Sequence, residues 1–183
     1  MKPEAFAGEL SRLHAQDGVF AILGNHDWWF NGEKMREFFA HEKIRVLENE
    51  SVQLKFNNKT FYVAGLADFW TRKADIPKAL ADVPSDQPVI LMSHNPDVFP
   101  QVLPRVSLTV AGHTHGGQVS LPLVGALIVP SEYGNRYAQH EVIEDGKHMF
   151  VATGIGTSVL PIRFLLPPEI SFVILKAEHT LGK

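Results

Sequence analysis

Two histidines two residues apart, His113 and His115, stand in Gly112-His113-Thr114-His115-Gly116-Gly117, directly after the apolar run Val106 to Ala111. Imidazole is a common metal ligand and a general acid or base near neutral pH. At a strand end, residues i and i+2 share a face. The flanking glycines let backbone and ligand come close. Two other segments repeat the arrangement. Leu23-Gly24-Asn25-His26-Asp27 closes the run Val19 to Leu23, and Met92-Ser93-His94-Asn95-Pro96 follows Val89 to Met92. Histidines in polar loops are often only solvated, and Asn25 and Asp27 also suit a turn. Three buried-strand patterns that each end in imidazole, amide or carboxylate groups favour a shared site for a divalent cation.

The elements that must position these groups follow from periodicity. Phe6, Leu10 and Leu13 recur at helical spacing within residues 3 to 16, and Asp17-Gly18 stops the helix. Val19 to Leu23 reads as a buried parallel strand, Gly32 to His41 as a helix, and Ile44 to Leu47 as a short strand. Val52 to Phe56 and Phe61 to Ala64 alternate about Asn57-Asn58-Lys59, a hairpin pattern. Asp75 to Val83 fits a short helix. Asn95-Pro96, an N-cap followed by proline, opens another between the strands Val89 to Met92 and Val106 to Ala111. Strand patterns then recur at Gln118 to Leu121, Ala126 to Val129, Tyr137 to Ile143, His148 to Ala152 and Ile170 to Lys176, with a hairpin turn at Asp145-Gly146. Strand and helix alternate early, and the second half is strand-rich. That order predicts an α/β domain of two packed sheets flanked by helices, spanning residues 1–183 as one unit.

Composition narrows the function classes. The chain is 45% hydrophobic and 20% charged, as in an ordinary globular protein. A net charge of −3 and a pI near 6.3 give no basic excess for nucleic acid or anionic lipid. With no cysteine, disulfides and thiolate metal sites are excluded. A bound metal must use imidazole, carboxylate, amide and water, which suits Mn, Fe, Zn, Co or Ni. No apolar run approaches the ~20 residues of a spanning helix, and Met1-Lys2-Pro3-Glu4 is not a signal peptide. As it stands the sequence predicts a cytoplasmic protein; an anchor upstream of Met1 would make it membrane-associated.

Gly24-Asn25-His26-Asp27, Ser93-His94 and Gly112-His113-Thr114-His115 resemble, in order and placement, the last three of five motifs of the calcineurin-like metallophosphoesterases. Gly116-Gly117-Gln118, Gly154-Ile155-Gly156-Thr157-Ser158, Leu160-Pro161-Ile162-Arg163 and Pro167-Pro168-Glu169-Ile170 are similar to a bacterial branch of YaeI/YkuE-like phosphodiesterases and UDP-diacylglucosamine pyrophosphohydrolases. The likeness runs from about residue 15 onward.

The resemblance implies an αββα sandwich of the metallo-dependent phosphatase type and hydrolysis of a phosphodiester or pyrophosphate bond by a metal-activated water. Two ions roughly 3.5–4 Å apart can neutralise phosphoryl charge and activate water together. By position, Asn25, His94 and His113 become ligands of one ion and His115 of the other. His26 would act at the leaving-group oxygen, with Asp27 holding its ring oriented. The implied substrate is a small phosphoester or a lipid-linked nucleotide, and no specific nucleic-acid binding is expected.

Other residues allow two readings each. Arg163 matches phosphate geometry and equally fits a solvated surface arginine. Trp28, Trp29, Phe30, Phe69 and Trp70 would shape a groove or pack at its rim. His14, His41, His140, His148 and His179 read as surface residues. Ser93-His94 lacks the Gly-x-Ser-x-Gly elbow of a serine hydrolase, and Gly154-Ile155-Gly156 lacks the third glycine of a dinucleotide fingerprint.

The first two motifs of the family, Asp-x-His and Gly-Asp, do not occur in these 183 residues, and the acids before Asn25 are only Glu4, Glu9 and Asp17. The chain resembles the family shortened at its N-terminus. One ion keeps three protein ligands and the other keeps one, so one or two metals per chain are expected. Strands that should flank Val19 to Leu23 are missing, and the open edge predicts a homo-oligomer. Three readings follow: a shortened copy of a working enzyme, a minimal single-metal enzyme completed by water or a second subunit, and a non-catalytic binding or interaction module.

Overall fold

In the computed structural model, which describes residues 7–176, parallel strand pairing sets the frame. The elements are α1 (Ala7–Leu10), β1 (Val19–Ala21), α2 (Asn25–His41), β2 (Ile44–Val46), β3 (Glu50–Phe56) and β4 (Lys59–Gly65). They continue as α3 (Ile76–Ala79), β5 (Val89–Ser93), β6 (Leu108–Ala111), β7 (Ser120–Leu121), β8 (Gly125–Ala126), β9 (His140–Glu144) and β10 (Lys147–Val151). The central sheet has the order β3-β4-β5-β6-β10-β9. Its middle strands β4, β5, β6 and β10 run parallel, and β3 and β9 flank them antiparallel. This is a mixed α/β fold around one central sheet, as expected.

Alternation along the strands decides what each face meets. Ala64, Val89, Leu91, Met149 and Val151 point to one face and form the main core with Phe99. Val63, Gly65, Ile90, Met92, Leu108 and Val110 lie on the other, where the second layer packs. That layer is thin: β1 and β2 make a two-stranded parallel sheet in which Val19 pairs with Ile44 and Ala21 with Val46. Its contact with the central sheet runs through Gly65, where a Cβ would collide with Leu47 and come within 2.8 Å of Ile22 Cγ2. The expected pair of sheets is thus one of six strands and one of two.

Local signals explain the details. Asn57 and Asn58 take positive φ angles of 49° and 60° and turn β3 into β4 with Phe56 opposite Lys59, the two-residue hairpin that matches strand twist. Asp145 and Gly146 do the same for β9 and β10. Asn95 Oδ1 accepts from Asp97 N–H at 2.8 Å and caps the 3-10 helix Pro96–Gln101.

Three expectations need correction. The second helix starts at Asn25 rather than Gly32, because Gly24 and Asp27 form a capping pair seven residues earlier. The helix breaks at Asn31, whose backbone is extended and whose side chain accepts from Lys34 N–H, so the expected helix survives as the second segment. The strand expected over Ile170 to Lys176 is not formed: among the described residues nothing pairs with it, and Ile170 and Phe172 are 87% and 89% exposed. Of the helix expected over residues 3 to 16, only Ala7–Leu10 is helical within the described residues. Phe6 and His179 lie outside them.

The close approach at Gly65 carries a direct expectation. Gly65→Ala should destabilise the fold by about 1–3 kcal/mol, the usual penalty of overpacking, read as a lowered urea midpoint. An unchanged midpoint would mean that the two sheets do not meet there.

Candidate metal centre

Parallel pairing brings the histidine-bearing loops together. Ser93 and Ala111 are register partners at the ends of β5 and β6, and Gly112 N–H donates to His94 C=O at 3.1 Å. The chain therefore leaves both strands at the same height, at the carboxyl end of the parallel run where open α/β sheets build sites. The loops after β4 and β10 open at that same end. The start of α2 reaches it through Gly24, where a Cβ would overlap the His94 ring. Only glycine lets that ring lie against the backbone.

Three of the expected residues meet there. His94 Nε2 lies 2.9 Å from Asn25 Oδ1 and 3.1 Å from His113 Nδ1, and Asn25 is 1% exposed. A neutral ring nitrogen carries either a proton or a lone pair, never both. If His94 Nε2 donates, its one proton is shared between Asn25 Oδ1 and His113 Nδ1. If it accepts from His113, it faces the Asn25 oxygen with a lone pair. In either case three atoms able to offer a lone pair converge within 3.1 Å of His94 Nε2, a donor set suited to a cation.

Electrostatics keep the lone pairs available. Burial, reinforced by repulsion from His113, pushes the His94 imidazole down to about 4. Burial lowers His113 as well, against the pull of the Asp68 and Asp97 carboxylates. His115 is lowered by burial and by the Arg163 guanidinium. Both His113 and His115 sit in the left-handed backbone region, at φ 70° and 51°. This conformation is uncommon outside glycine and enriched for His, Asn and Asp. Thr114 between them is buried and anchors the loop by donating to Ala138 C=O at 2.6 Å.

The other expected residues fall elsewhere. His115 shares no hydrogen bond with the trio among the described residues; its Nδ1 lies 3.5 Å from Arg163 Nη2. Arg163 reaches the carbonyls of Thr153, Gly154, Gly156 and Leu166, clasping the loop after β10. His26 is exposed at the start of α2, with Nε2 3.4 Å from Ser158 Oγ and its ring against Trp29. Asp27 does not hold that ring. Its Oδ2 accepts from Gly24 N–H at 2.8 Å, so it fixes the helix start that carries both Asn25 and His26. Its pKa is raised by burial. Trp70 and Trp29 are exposed, Trp28 is half-buried under the Arg72 guanidinium, and Ser93 donates to Asn95 C=O as a structural residue. His14, His41, His140 and His148 are exposed, as expected.

Two acids escaped the sequence reading. Asp97 is buried and accepts from Ser131 Oγ and Glu132 N–H, tying down a distant loop. Asp68 is 1% exposed and lies just past β4. Its Oδ2 accepts from Thr71 N–H and Oγ–H at 2.8 and 2.7 Å. The signal that picked out His94 and His113, a ligand-type residue beyond the end of a parallel strand, would also have found Asp68. Among the described residues, no three His, Asp or Glu side chains form a metal-sized group; the trio counts two imidazoles and an amide.

The depressed His94 value predicts a pH dependence for the metal-free chain. Unfolded, this imidazole takes a proton below its ordinary value of 6.5, whereas folded it resists until about 4. Stability therefore falls as pH drops through that window, by on the order of 3 kcal/mol from this residue. Chemical unfolding at several pH values should show the slope, and His94→Gln should flatten it. Equal slopes in the two proteins would refute the assignment.

Comparison with known proteins identifies the family. Residues 2–117 match the family model described as calcineurin-like phosphoesterase. The chain is 32% identical over 174 residues to the uncharacterized metallophosphoesterase YkuE of Bacillus subtilis, covering 93% of this chain and 60% of that protein. It is 31% identical over 175 residues to the phosphodiesterase YaeI of Escherichia coli, covering 93% and 63%. An uncharacterized metallophosphoesterase of Aquifex aeolicus is 30% identical over 175 residues, covering 92% and 65%. The chain thus spans 60–65% of the length of these relatives. No solved structure matches it. Among the described residues no helix is long and apolar enough to cross a membrane. The family-model match covers more than half of the chain and includes all three histidine-bearing loops, and on that ground the chain belongs to the calcineurin-like phosphoesterases, a family that implies divalent metal ions.

Proposed function

We propose that this chain holds a divalent ion on Asn25, His94 and His113 and takes part in hydrolysing a phosphodiester or pyrophosphate bond. The observation that carries the reading is the convergence of Asn25 Oδ1 and His113 Nδ1 on His94 Nε2, at 2.9 and 3.1 Å. An amide oxygen with two neutral imidazoles suits Mn, Fe, Zn, Co or Ni. The ion supplies Lewis acidity toward phosphoryl oxygens and lowers the pKa of water. His115 is the residue of this chain that would serve a second ion, once Arg163 leaves its Nδ1.

The chain's own groups divide the remaining work. His26, exposed beside Ser158, would give a proton to the departing oxygen. Asp27 keeps Asn25 and His26 at a fixed angle by capping their helix. Arg163 holds the wall on which Ser158 stands, and a phosphate contact would require it to release a carbonyl. The substrate class is a small phosphoester or a lipid-linked nucleotide, not nucleic acid. A second reading, a metal-binding module without turnover, draws on the single converging trio and on the orientation of His115 toward Arg163.

Two measurements test these assignments. His26→Ala should lower phosphodiester hydrolysis by about 10²-fold or more with metal content intact, whereas His113→Ala should lose the metal itself. Equal metal loss in both variants would overturn the division of roles. The edge of β1 that has no neighbour among the described residues and the exposed Ile170, Phe172 and Ile174 support pairing with a second copy, since burial returns roughly 25 cal/mol per Å² of apolar surface. Light scattering should therefore report a dimer or larger species; a stable monomer at high concentration would rule this out.

A further inference from the structure

Among the aromatic residues around the trio, Trp70 stands apart. It is 47% exposed, yet its ring meets that of His113, with centroids 4.4 Å apart and planes at 87°. A perpendicular contact engages at most one face of an indole, so a face of Trp70 stays free of His113. Trp28 differs: the Arg72 guanidinium lies over it at 3.7 Å and that of Arg36 at 5.9 Å. Among the described residues no cation stacks on Trp70, and no ring other than His113 meets it.

Looseness does not account for this exposure. One side chain fastens both ends of the loop that carries Trp70. Asn49 Oδ1 accepts from Ala67 N–H at 3.0 Å and from Asp75 N–H at 2.9 Å, and its Nδ2 donates to Lys73 C=O at 2.8 Å. Inside the loop, Asp68 Oδ2 accepts from Thr71 N–H and Oγ–H at 2.8 and 2.7 Å, and Arg72 N–H donates to Asp68 C=O at 3.0 Å. Phe69, the preceding residue, packs against the main core. A braced turn thus holds an indole outward beside a residue of the candidate metal centre. Leaving that apolar surface in water is unfavourable. A rigid aromatic face needs little further ordering to receive a planar ring.

We propose that Trp70 is a specificity-determining residue of this site: its free face stacks an aromatic ring carried by the phosphoester, beside the phosphoryl group held at the trio. The proposal rests on the reading of Asn25, His94 and His113 as the phosphoester site. Stacking asks only for a π-face, so a nucleobase and a simple aryl group meet the same requirement. Trp29 suits this role less well. It is 63% exposed, but its ring leans on His26 rather than on a member of the trio, and α2 breaks two residues later at Asn31.

Calorimetry on the Zn²⁺-loaded chain tests this with adenosine 5′-monophosphate, phenyl phosphate and ribose 5-phosphate, the last of which has no aromatic ring. The two ring-bearing compounds should bind about tenfold tighter than ribose 5-phosphate. Trp70→Leu should bring them down to the level of ribose 5-phosphate and leave that compound within twofold. Trp70→Phe should restore most of the difference. Equal affinities for the two ring-bearing compounds assign a general aryl site, and a preference for adenosine 5′-monophosphate assigns a nucleobase; both agree with stacking. Ribose 5-phosphate binding as tightly as the other two would overturn the proposal. So would an equal loss of all three in Trp70→Leu, the mark of a residue that only supports His113. If Trp70→Leu does not fold, the ranking of the three compounds by the parent chain decides. If none of them binds, the phosphoester reading fails and the ring is tested alone. Millimolar adenosine should then still shift the Trp70 indole ¹H–¹⁵N cross-peak of the metal-free chain, and an unmoved cross-peak would refute the stacking face itself.

Discussion

The pairing of Ser93 with Ala111 is the constraint on which the rest of the site depends. It ends two parallel strands at one level, and the bond from Gly112 N–H to His94 C=O carries that alignment one residue further. From there the two imidazoles have little freedom. A register shift of one residue would turn His94 and His113 to opposite faces of the sheet. Because Val89 and Leu91 are fully buried on the core face, such a slip would also expose the core. The geometry of the candidate centre is thus enforced by hydrophobic burial some distance away from it.

The third member of the trio arrives by a different route. Asn25 belongs to a helix that follows β1, a strand of the smaller sheet, so its position depends on how the two sheets pack. Gly24 and Gly65 are the points where that packing is closest, one against the His94 ring and the other against Leu47 and Ile22. Removing side chains at those two places lets the layers meet. Asp27 then locks the helix start by capping Gly24. A carboxylate assigned to a histidine ring by motif is used here by the backbone, which has an unpaired N–H to satisfy at every helix start.

Much of this was legible in the order of residues. Val89 to Met92 and Val106 to Ala111 are short, continuous apolar runs, the pattern of strands buried on both faces, and they proved to be parallel neighbours. Asn57-Asn58 and Asp145-Gly146 marked their hairpins because few residues tolerate the required backbone. The misses share a cause. The start of α2 rests on a carboxylate reaching back three residues, which periodicity does not register. Ile170 to Lys176 has the alternation of a strand, but a strand also needs a neighbour. Asp68 follows Phe61 to Ala64, whose hairpin alternation hides that β4 is also a parallel strand ending at the site.

The left-handed backbone at positions 113 and 115 has a consequence for which residues can occupy them. A β-branched or bulky side chain is strained there, so the conformation admits chiefly Gly, Asn, Asp and His. Three of those four can donate to a metal ion. The main chain thus acts as a filter ahead of any selection for chemistry, and a random substitution that the fold tolerates at either position retains a ligand atom more often than chance alone would give.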